Sequence, residues 1–451
     1  MNKKDFNNIR NEFNHMIKSF DDSDLLSKKI VSVCFEIENN LNDFLNQISL
    51  ENHPIFLSNN KFSAYSFAKE HSFSFYSEDD YKSNKDKMIN LVSNTMFINP
   101  KNHYKTFIFG GFNFDLCQSN DEIWNDIPIA HFTLPRYTFT DSKLIINLFL
   151  DDAFTFENIN RLFLQYIDNL EIIFSNQKKN TINSELLDIS DLTSNNLYHK
   201  KINNFLDTFK TGNSDLIKVV FSRIKKLCFS YKVPLINIYK KLLFKNRDNM
   251  NFLYSIKDDA SIIGSTPELV LSKSNYKIQS ESIAGSNYNK NNNFISDNKE
   301  LIEQKIVTDY IIDFFKKNAV NIEYNDKPKI KKSSDIEHLC TLFSADLKND
   351  KNILDLLIDL HPTPAIGGYS KQKAIDMIRN LKEDRGWYGG PIGWVDNNLD
   401  GQFYLNIRSG LGLNKDLYLF SGSGITEKSN SENEWIETEQ KFNLMLEACN
   451  E

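Results

Sequence analysis

The stretch from His361 to Lys441 decides the fold, and it reads HPTPAIGG (361–368), DRGWYGGPIGW (384–394), FYLNIRSGL (403–411), LFSGSGI (419–425) and ENEWIETEQK (432–441). Alternating apolar and polar residues between glycine-rich segments predict short strands joined by turns. The last segment instead spaces its charged residues as a helix does. The stretch therefore predicts strands and tight turns that lead into a helix.

Single charged residues stand at the ends of these predicted elements. Arg408 ends an alternating run that reads as a half-buried strand. Gly422 and Gly424 follow another such run, where a turn would point backbone N–H groups at an anion. On the helix, the carboxylates and the lysine share one face. These are Glu434, Glu437 and Lys441. Together the groups suit an organic acid bridged to the protein by a metal ion.

Composition narrows the class of protein. The chain has 451 residues, of which 40% are apolar and 25% charged, so it can bury a substantial core. Its net charge of −7 argues against a nucleic-acid binder. The five cysteines are scattered, as expected for core thiols in a reducing compartment. The polar N-terminus and the lack of a long apolar run predict a cytoplasmic protein without membrane spans.

The chain divides into a scaffold half and a half that carries candidate chemistry. The first half predicts, in order, amphipathic helices, strands, a helix and a polar linker, at 1–50, 54–150, 153–175 and 176–195. We therefore place an N-terminal scaffold at 1–195 and the catalytic region at 196–451, within a single structural domain.

Two residues of the second half are candidates for proton transfer. Lys218 lies inside the apolar strand LIKVVF (216–221), where burial would lower its pKa and make it a general base. The alternative is a lysine at a strand edge that extends to solvent. Glu268 follows the turn in IIGSTPELV (262–270), and alone it reads as a solvated glutamate.

Other residues suit an anion or a cation. The segment SESIAGS (280–286) ends in a small-residue turn that could donate N–H groups to a carboxylate. Asp297 is a plausible N-cap for a helix to 314, on which Glu300 and Glu303 share a face. They form either a solvated face or a Mg²⁺ site. His338 lies among apolar neighbours, where a core role is the commoner one.

Read in order, these segments resemble the chorismate-utilising enzymes, and among them the isochorismate synthases most closely. The resemblance is strong over 205–448 and weak before it. It rests on the segments quoted above together with KVVFSR, GSTPELVLSK, NKELIEQKIVTDYI and HLCTLFSADL. It implies an α+β fold in which two large antiparallel sheets form a sandwich flanked by helices.

The resemblance also implies roles for the charged residues. Lys218 matches the base that activates water for attack at ring carbon 2 of chorismate, and Glu268 matches the acid that protonates the hydroxyl leaving carbon 4. Glu303 and Glu437 match carboxylates that bind Mg²⁺, with Glu434 alongside them through a bound water.

The remaining candidates are implied contacts to the substrate. Arg408 and Tyr388 resemble residues that hold the enolpyruvyl carboxylate, and His338 resembles a pocket histidine without a specified role. Further contacts are expected from one side chain, two alanines and the backbone of four small residues. These are Lys441, Ala284, Ala365, Gly285, Ser286, Gly422 and Gly424.

Several alternatives stay open. Salicylate synthases share the lysine, although they tend to carry threonine at the position of Ala365. Anthranilate and aminodeoxychorismate synthases use ammonia and need a glutamine amidotransferase, of which no segment is visible. A non-catalytic relative is a further alternative. The pathway that uses the product, for a siderophore or for menaquinone, is open as well. A monomer is expected. The chain departs from the family pattern at Gln304, where histidine is frequent beside the metal carboxylate, and in milder ways at Ser286 and Asp346.

Overall fold

Helices and strands both occur throughout the described part of the chain in the computed structural model. The structure describes residues 1, 3–19, 28–37, 44–98, 104–118, 122–140, 142–150, 155–175, 184–210, 215–287, 294–333 and 336–450. Within them the helices are α1 (Lys3–Met16), α2 (Glu78–Ser93), α3 (Phe156–Ser175), α4 (Asn195–Lys210), α5 (Leu235–Lys245), α6 (Asn298–Asn318), α7 (Ile353–Leu360), α8 (Lys371–Asn380) and α9 (Ser431–Asn450).

The strands form one hydrogen-bonded network of 21 members in this described part of the chain. The first eight are β1 (Ile30–Glu36), β2 (Ile55–Ser58), β3 (Ser63–Phe75), β4 (Met96–Phe97), β5 (Phe107–Phe112), β6 (Ala130–Phe139), β7 (Lys143–Phe149) and β8 (Leu186–Asp191). The next eight are β9 (Lys218–Phe229), β10 (Met250–Lys257), β11 (Ala260–Thr266), β12 (Leu269–Ser274), β13 (Lys277–Asn287), β14 (Ala319–Tyr324), β15 (Lys329–Ser333) and β16 (Ile336–Leu347). The last five are β17 (Gly368–Tyr369), β18 (Pro391–Asp396), β19 (Gly401–Leu405), β20 (Ser409–Leu413) and β21 (Asp416–Ile425).

Two series of antiparallel strands diverge from β6. Along one edge β6 pairs with β3, and the series continues through β2, β10, β11, β20 and β21 to β9. Along its other edge the start of β6 pairs with β5, followed by β18, β19, β12, β13 and β16. Strands of the first half therefore pair directly with strands of the second half, at β2–β10 and at β5–β18.

The helices cover two apolar clusters. In α1, Phe6, Ile9 and Phe13 recur at helical spacing and are buried in a cluster that also takes residues of α3, α5 and α9. The other cluster takes residues of α2, α4, α6, α7 and α8. The predicted α+β class, with a large antiparallel sheet system and flanking helices, is confirmed. No helix in the described ranges is long and apolar enough to span a membrane.

Local predictions hold where the sequence signal is local. Asp297 caps α6 by accepting hydrogen bonds from the backbone N–H groups of Lys299 and Glu300. The predicted helices over 1–50 are wrong for 30–36, which is β1, because its branched and aromatic residues pair with β7. The β-like region 54–150 contains α2, and the predicted linker contains β8. Residues 20–27 and 38–43 lie outside the described residues, and the division at 195 stays a prediction.

Gly110 provides a stability test for the junction of the two series. It lies in β5 between β6 and β18, and a Cβ atom there would overlap the carbonyl oxygen of His131. We expect Gly110→Ala to lower the free energy of unfolding by about 1–3 kcal/mol, measured by urea denaturation. Gly367→Ala is the matched control, because the nearest atoms to its new Cβ would be at 3.5 Å. An equal loss in both variants would contradict the steric argument.

Candidate active site

A cleft of about 760 Å³, including its open mouth, lies between the last strands of the two series. Strands β9 and β21 form one wall, and β13 and β16 form the other. Most of the candidate residues line it: Glu268, Ala284, Gly285, Ser286, Glu303, His338, Ala365, Tyr388, Arg408, Gly422, Gly424, Glu437 and Lys441. The remaining two, Lys218 and Glu434, lie behind the lining. Residues that are distant in the sequence thus converge on one cavity.

Lys218 begins β9 and is fully buried. Its Nζ atom donates a hydrogen bond to Oε1 of Glu303 at 2.6 Å, which makes this a buried ion pair. Gly424 lies against the pair, because a Cβ there would stand 2.6 Å from both Glu303 Oε1 and Lys218 Cε. Any other residue at this position would push the lysine and the carboxylate apart.

Gly422 and Gly424 lie in a strand, so the predicted turn is wrong. Strand β21 runs on to Ile425 because β9 continues beside it, with Gly424 opposite Val220. Arg408 is also outside its predicted strand, since β19 ends at Leu405. The backbone of Arg408 adopts a φ of 51° in the left-handed region. This turn directs the guanidinium into the cleft.

Four glutamates crowd one side of the cleft. Burial raises the pKa of Glu300 to about 7, and the charge of Glu303 adds to this. Burial likewise raises the pKa of Glu434 to about 7, assisted by Glu437. Burial opposes ionisation of Glu437 too, but Lys441 at 2.6 Å outweighs it, so the pKa of Glu437 is lowered. Glu300 and Glu434 thus keep raised pKa values although Lys299 lies 3.4 Å from Glu434.

This cluster fits a hard cation. Glu434 is 1% exposed, and its Oε2 atom is buried without a hydrogen-bond partner among the described residues. Within those residues no three acidic, histidine or cysteine side chains converge closely enough to hold an ion alone. Mg²⁺ does not need such a cage, because it binds one or two carboxylates and keeps waters and substrate oxygens. The unpartnered oxygen and the raised pKa values are what a cation would relieve.

Glu268 is a buried acid that lines the cleft between β11 and β12. It is 5% exposed, and burial raises its pKa to about 8. The charge of Glu281 raises the pKa further, whereas Lys331, Lys218 and Arg408 lower it. The carboxyl is therefore protonated at neutral pH and can donate a proton.

The part of the cleft lined by Arg408, Tyr388 and Lys441, the anion-binding end, is suited to a carboxylate. Nη1 of Arg408 is buried without a partner among the described residues. Lys441 donates to the carbonyl of Gly422 at 2.9 Å, next to its ion pair with Glu437. The ring of Tyr388 stacks on Phe420 with centroids 5.3 Å apart. A carboxylate placed here would satisfy the guanidinium.

His338 is neutral, because burial lowers its pKa to about 3. Its Nδ1 lies 2.8 Å from the carbonyl of Gly285 and donates to it, which leaves Nε2 as an acceptor facing the cleft. The amide of Ser286 donates to Glu300 at 3.1 Å, so it already has an acceptor within the protein. A substrate carboxylate would have to replace that bond.

Gln304, which stands where the family often has histidine, does not bond to Glu303. Its amide points away from the cleft and donates to Ser282 at 2.9 Å and Thr341 at 3.0 Å. The sequence predicted neither this role nor the apolar part of the lining. That part comprises Val220, Ile283, Ile366, Leu405, Ile407 and Phe420, whose only signal is adjacency to candidate polar residues.

Comparisons with known proteins identify the family to which the chain belongs. A family model described as "Chorismate binding enzyme" matches residues 15–450. The isochorismate synthase MenF of Bacillus subtilis (strain 168) is 28% identical over 358 residues, which are 76% of this chain and 74% of the relative.

Two solved structures share the fold. The menaquinone-specific isochorismate synthase MenF of Escherichia coli matches with a TM-score of 0.77 and 18% identity, over 97% of this chain and 98% of that one. Anthranilate synthase component I of Streptococcus pneumoniae TIGR4 matches with a TM-score of 0.67 and 18% identity, over 93% and 92%. At these identities the structures show the fold alone. The family match over nearly the whole chain shows that this protein is an enzyme of the chorismate-binding family.

Proposed function

We propose that the enzyme interconverts chorismate and isochorismate. One observation carries this: a carboxyl that is protonated at neutral pH shares a cleft with an anion-binding end and with Glu303, the partner of the buried lysine Lys218. Exchange of a hydroxyl between two ring carbons needs an acid for the leaving hydroxyl and a base for the incoming water. The name of the Bacillus subtilis relative supports the same reaction.

The proposed step conserves atoms and charge. The oxygen of water forms a bond to ring carbon 2 while a proton of that water passes to Nζ of Lys218. The two ring double bonds shift towards carbon 4, the bond from carbon 4 to its hydroxyl breaks, and Glu268 supplies the proton that makes this hydroxyl leave as water. Loss of one proton from Lys218 and uptake of one proton by Glu268 complete the cycle, and in the reverse direction the two groups exchange their acid and base roles.

Positioning is assigned to the residues at the two ends of the cleft. Arg408 and Tyr388 would hold the enolpyruvyl carboxylate, and Lys441 would contact a carboxylate through its ammonium. His338, as a neutral acceptor, would take a hydrogen bond from a substrate hydroxyl. Backbone around Ala284, Gly285 and Ser286 on one wall, and Ala365, Gly422 and Gly424 elsewhere in the lining, would shape the remaining contacts.

Mg²⁺ is the proposed cofactor, held by Glu303 and Glu437, with Glu434 alongside. When bound, the cation would supply positive charge that neutralises these carboxylates and the ring carboxylate. Glu303 accepts a hydrogen bond from Lys218, and a base needs a free lone pair. We therefore propose that Lys218 acts as a base only when Glu303 has released it, and that Glu303 would then be free to help hold the cation.

We expect Glu303→Gln to require at least about tenfold more Mg²⁺ for half-maximal rate, because a neutral amide is a poorer ligand for a hard cation. Mg²⁺-dependent thermal stabilisation gives a second readout that does not depend on turnover. Glu432→Gln is the matched control, since this residue lies on α9 at the surface and pairs with His199. An unchanged Mg²⁺ requirement in Glu303→Gln would remove the residue from the metal site.

Product analysis tests the proposed reaction directly. The purified protein is incubated with chorismate and Mg²⁺, and a mixture of chorismate and isochorismate is expected. Salicylate and pyruvate would instead indicate a salicylate synthase. Product that forms only when ammonia is added would indicate an anthranilate or aminodeoxychorismate synthase that works with an amidotransferase. Absence of product both with and without ammonia would indicate a non-catalytic member of the family. Whether the isochorismate is used for menaquinone or for a siderophore follows from the enzymes that consume it.

A further inference from the structure

An ion pair outside the cleft holds the backbone on both sides of Glu268. Nζ of Lys331 donates to the carbonyl of Pro267 at 2.7 Å. The same atom donates to Oε2 of Glu281 at 2.6 Å. That carboxylate oxygen also accepts the backbone N–H of Leu269 at 3.3 Å. The pair therefore bonds to the residue before Glu268 and to the residue after it.

The two charged residues come from two strands beside the acid, and their own side chains do not line the cleft. Glu281 lies in β13 and Lys331 in β15, and both strands pair with β16. Their side chains are only 14% and 28% exposed. Neither lines the cleft, so neither would touch the substrate. Two part-buried opposite charges thus converge on a three-residue segment whose middle member is the proposed acid.

We propose that the Lys331–Glu281 pair is a positioning device for the acid, which fixes the direction of the Glu268 carboxyl and sets the pH above which the enzyme loses its proton donor. This inference rests on the proposed function, because it assigns a purpose to Glu268. Lys331 and Glu281 are positioning residues, since they act through Glu268.

Glu281 and Lys331 shift the pKa of Glu268 in opposite directions, because their charges are opposite. Burial is the largest reason for the raised pKa of Glu268, the charge of Glu281 raises it further, and Lys331 is the first of the opposing charges. The charged and titratable groups that face Glu268 come from five places in the fold: Lys218 on β9, Glu281 on β13, Lys331 on β15, His338 and Cys340 on β16, and Arg408 after β19.

The sign of each substitution follows from these charges. Glu281→Gln removes a negative charge, so the pKa of Glu268 falls and the carboxyl loses its proton at lower pH. Lys331→Gln removes a positive charge and leaves Glu281 unbalanced, so the pKa rises. Because the acid must be protonated to act, the alkaline limb of the pH profile follows the pKa of Glu268.

The experiment compares the pH dependence of kcat/KM for chorismate in wild type, Glu281→Gln and Lys331→Gln. We expect the alkaline limb to move down by about 0.5–1 pH unit in Glu281→Gln and up by a similar amount in Lys331→Gln. Lys331→Arg should restore the wild-type limb because it keeps the charge. Lys332→Gln is the matched control, since this neighbouring residue is 77% exposed and pairs with Glu337 instead.

A merely structural ion pair would give a different result. Both variants would then lose rate with the limb unmoved, or with shifts in the same direction, and either outcome overturns the inference. If Lys331→Gln does not fold, the Glu281→Gln shift and the Lys331→Arg profile still decide it. If wild type does not turn over chorismate, the proposed function fails separately. The shifts are then measured from stability. The pH at which stability falls relative to Glu268→Gln is compared between wild type, Glu281→Gln and Lys331→Gln.

Discussion

Replacement of Lys218 by alanine is expected to lower chorismate turnover by about 10²–10⁴-fold, because water is a poor nucleophile without a base to take its proton. Binding of chorismate should persist, since Arg408 and Lys441 at the anion-binding end are untouched. Turnover is measured by chromatography of the products and binding by calorimetry. The loss should therefore appear in kcat rather than in the dissociation constant.

Controls separate chemistry from packing at this buried position. Lys226→Ala removes a lysine from the same strand, where it pairs with Asp416 at the surface, and should leave turnover intact. A small primary amine added to Lys218→Ala should restore part of the lost rate, because it can occupy the vacated volume and accept the proton. Wild-type turnover in Lys218→Ala would exclude the lysine as the base.

Glu268→Gln should likewise lower turnover by about 10²–10⁴-fold, because an amide holds no transferable proton. In wild type the rate should fall as the pH rises through the pKa of Glu268, which burial raises to about 8. The variant should show no such limb in its residual rate. An alkaline limb retained unchanged in Glu268→Gln would show that another group is the acid.

The same substitution should affect stability with a defined sign. The folded-state pKa of Glu268 is raised from 4.5 to about 8, so the folded state binds the proton more tightly than the unfolded state. Between those values wild type loses stability as the pH rises. Glu268→Gln lacks this loss, so its melting temperature should exceed that of wild type increasingly from about pH 5 to about pH 8 and then stay ahead. A constant difference across this range would contradict the raised pKa.

The sequence predicted local structure better than it predicted which distant residues meet in the cleft. Asp297 predicts correctly where its helix begins, because a cap depends on neighbours within one turn. Strand β1 was missed because pairing with β7, far along the chain, outweighs local helical spacing. That Glu268, Arg408 and Glu303 would share a cavity came from the family resemblance, since no rule of spacing brings such distant residues together.

The positioning residues show the limit most clearly. Glu281 and Lys331 are ordinary charged residues on strands, and their sequence positions carry no signal that relates them to Glu268. Only the order of β13, β16 and β15 places them on the backbone beside it. Gln304 is the reverse case. Its position next to Glu303 in the sequence drew attention to the metal site, whereas its amide joins α6 to Ser282 on β13 and Thr341 on β16.

The pairing of strands across the two halves has a consequence for synthesis of the chain on the ribosome. Strand β5 is made long before its partner β18, which begins at Pro391, and β2 waits in the same way for β10. During that interval their backbone edges lie open, which is the state that favours aggregation. In a nascent chain the second edges of β2 and β5 therefore stay unpaired until residues 250–257 and 391–396 have been made.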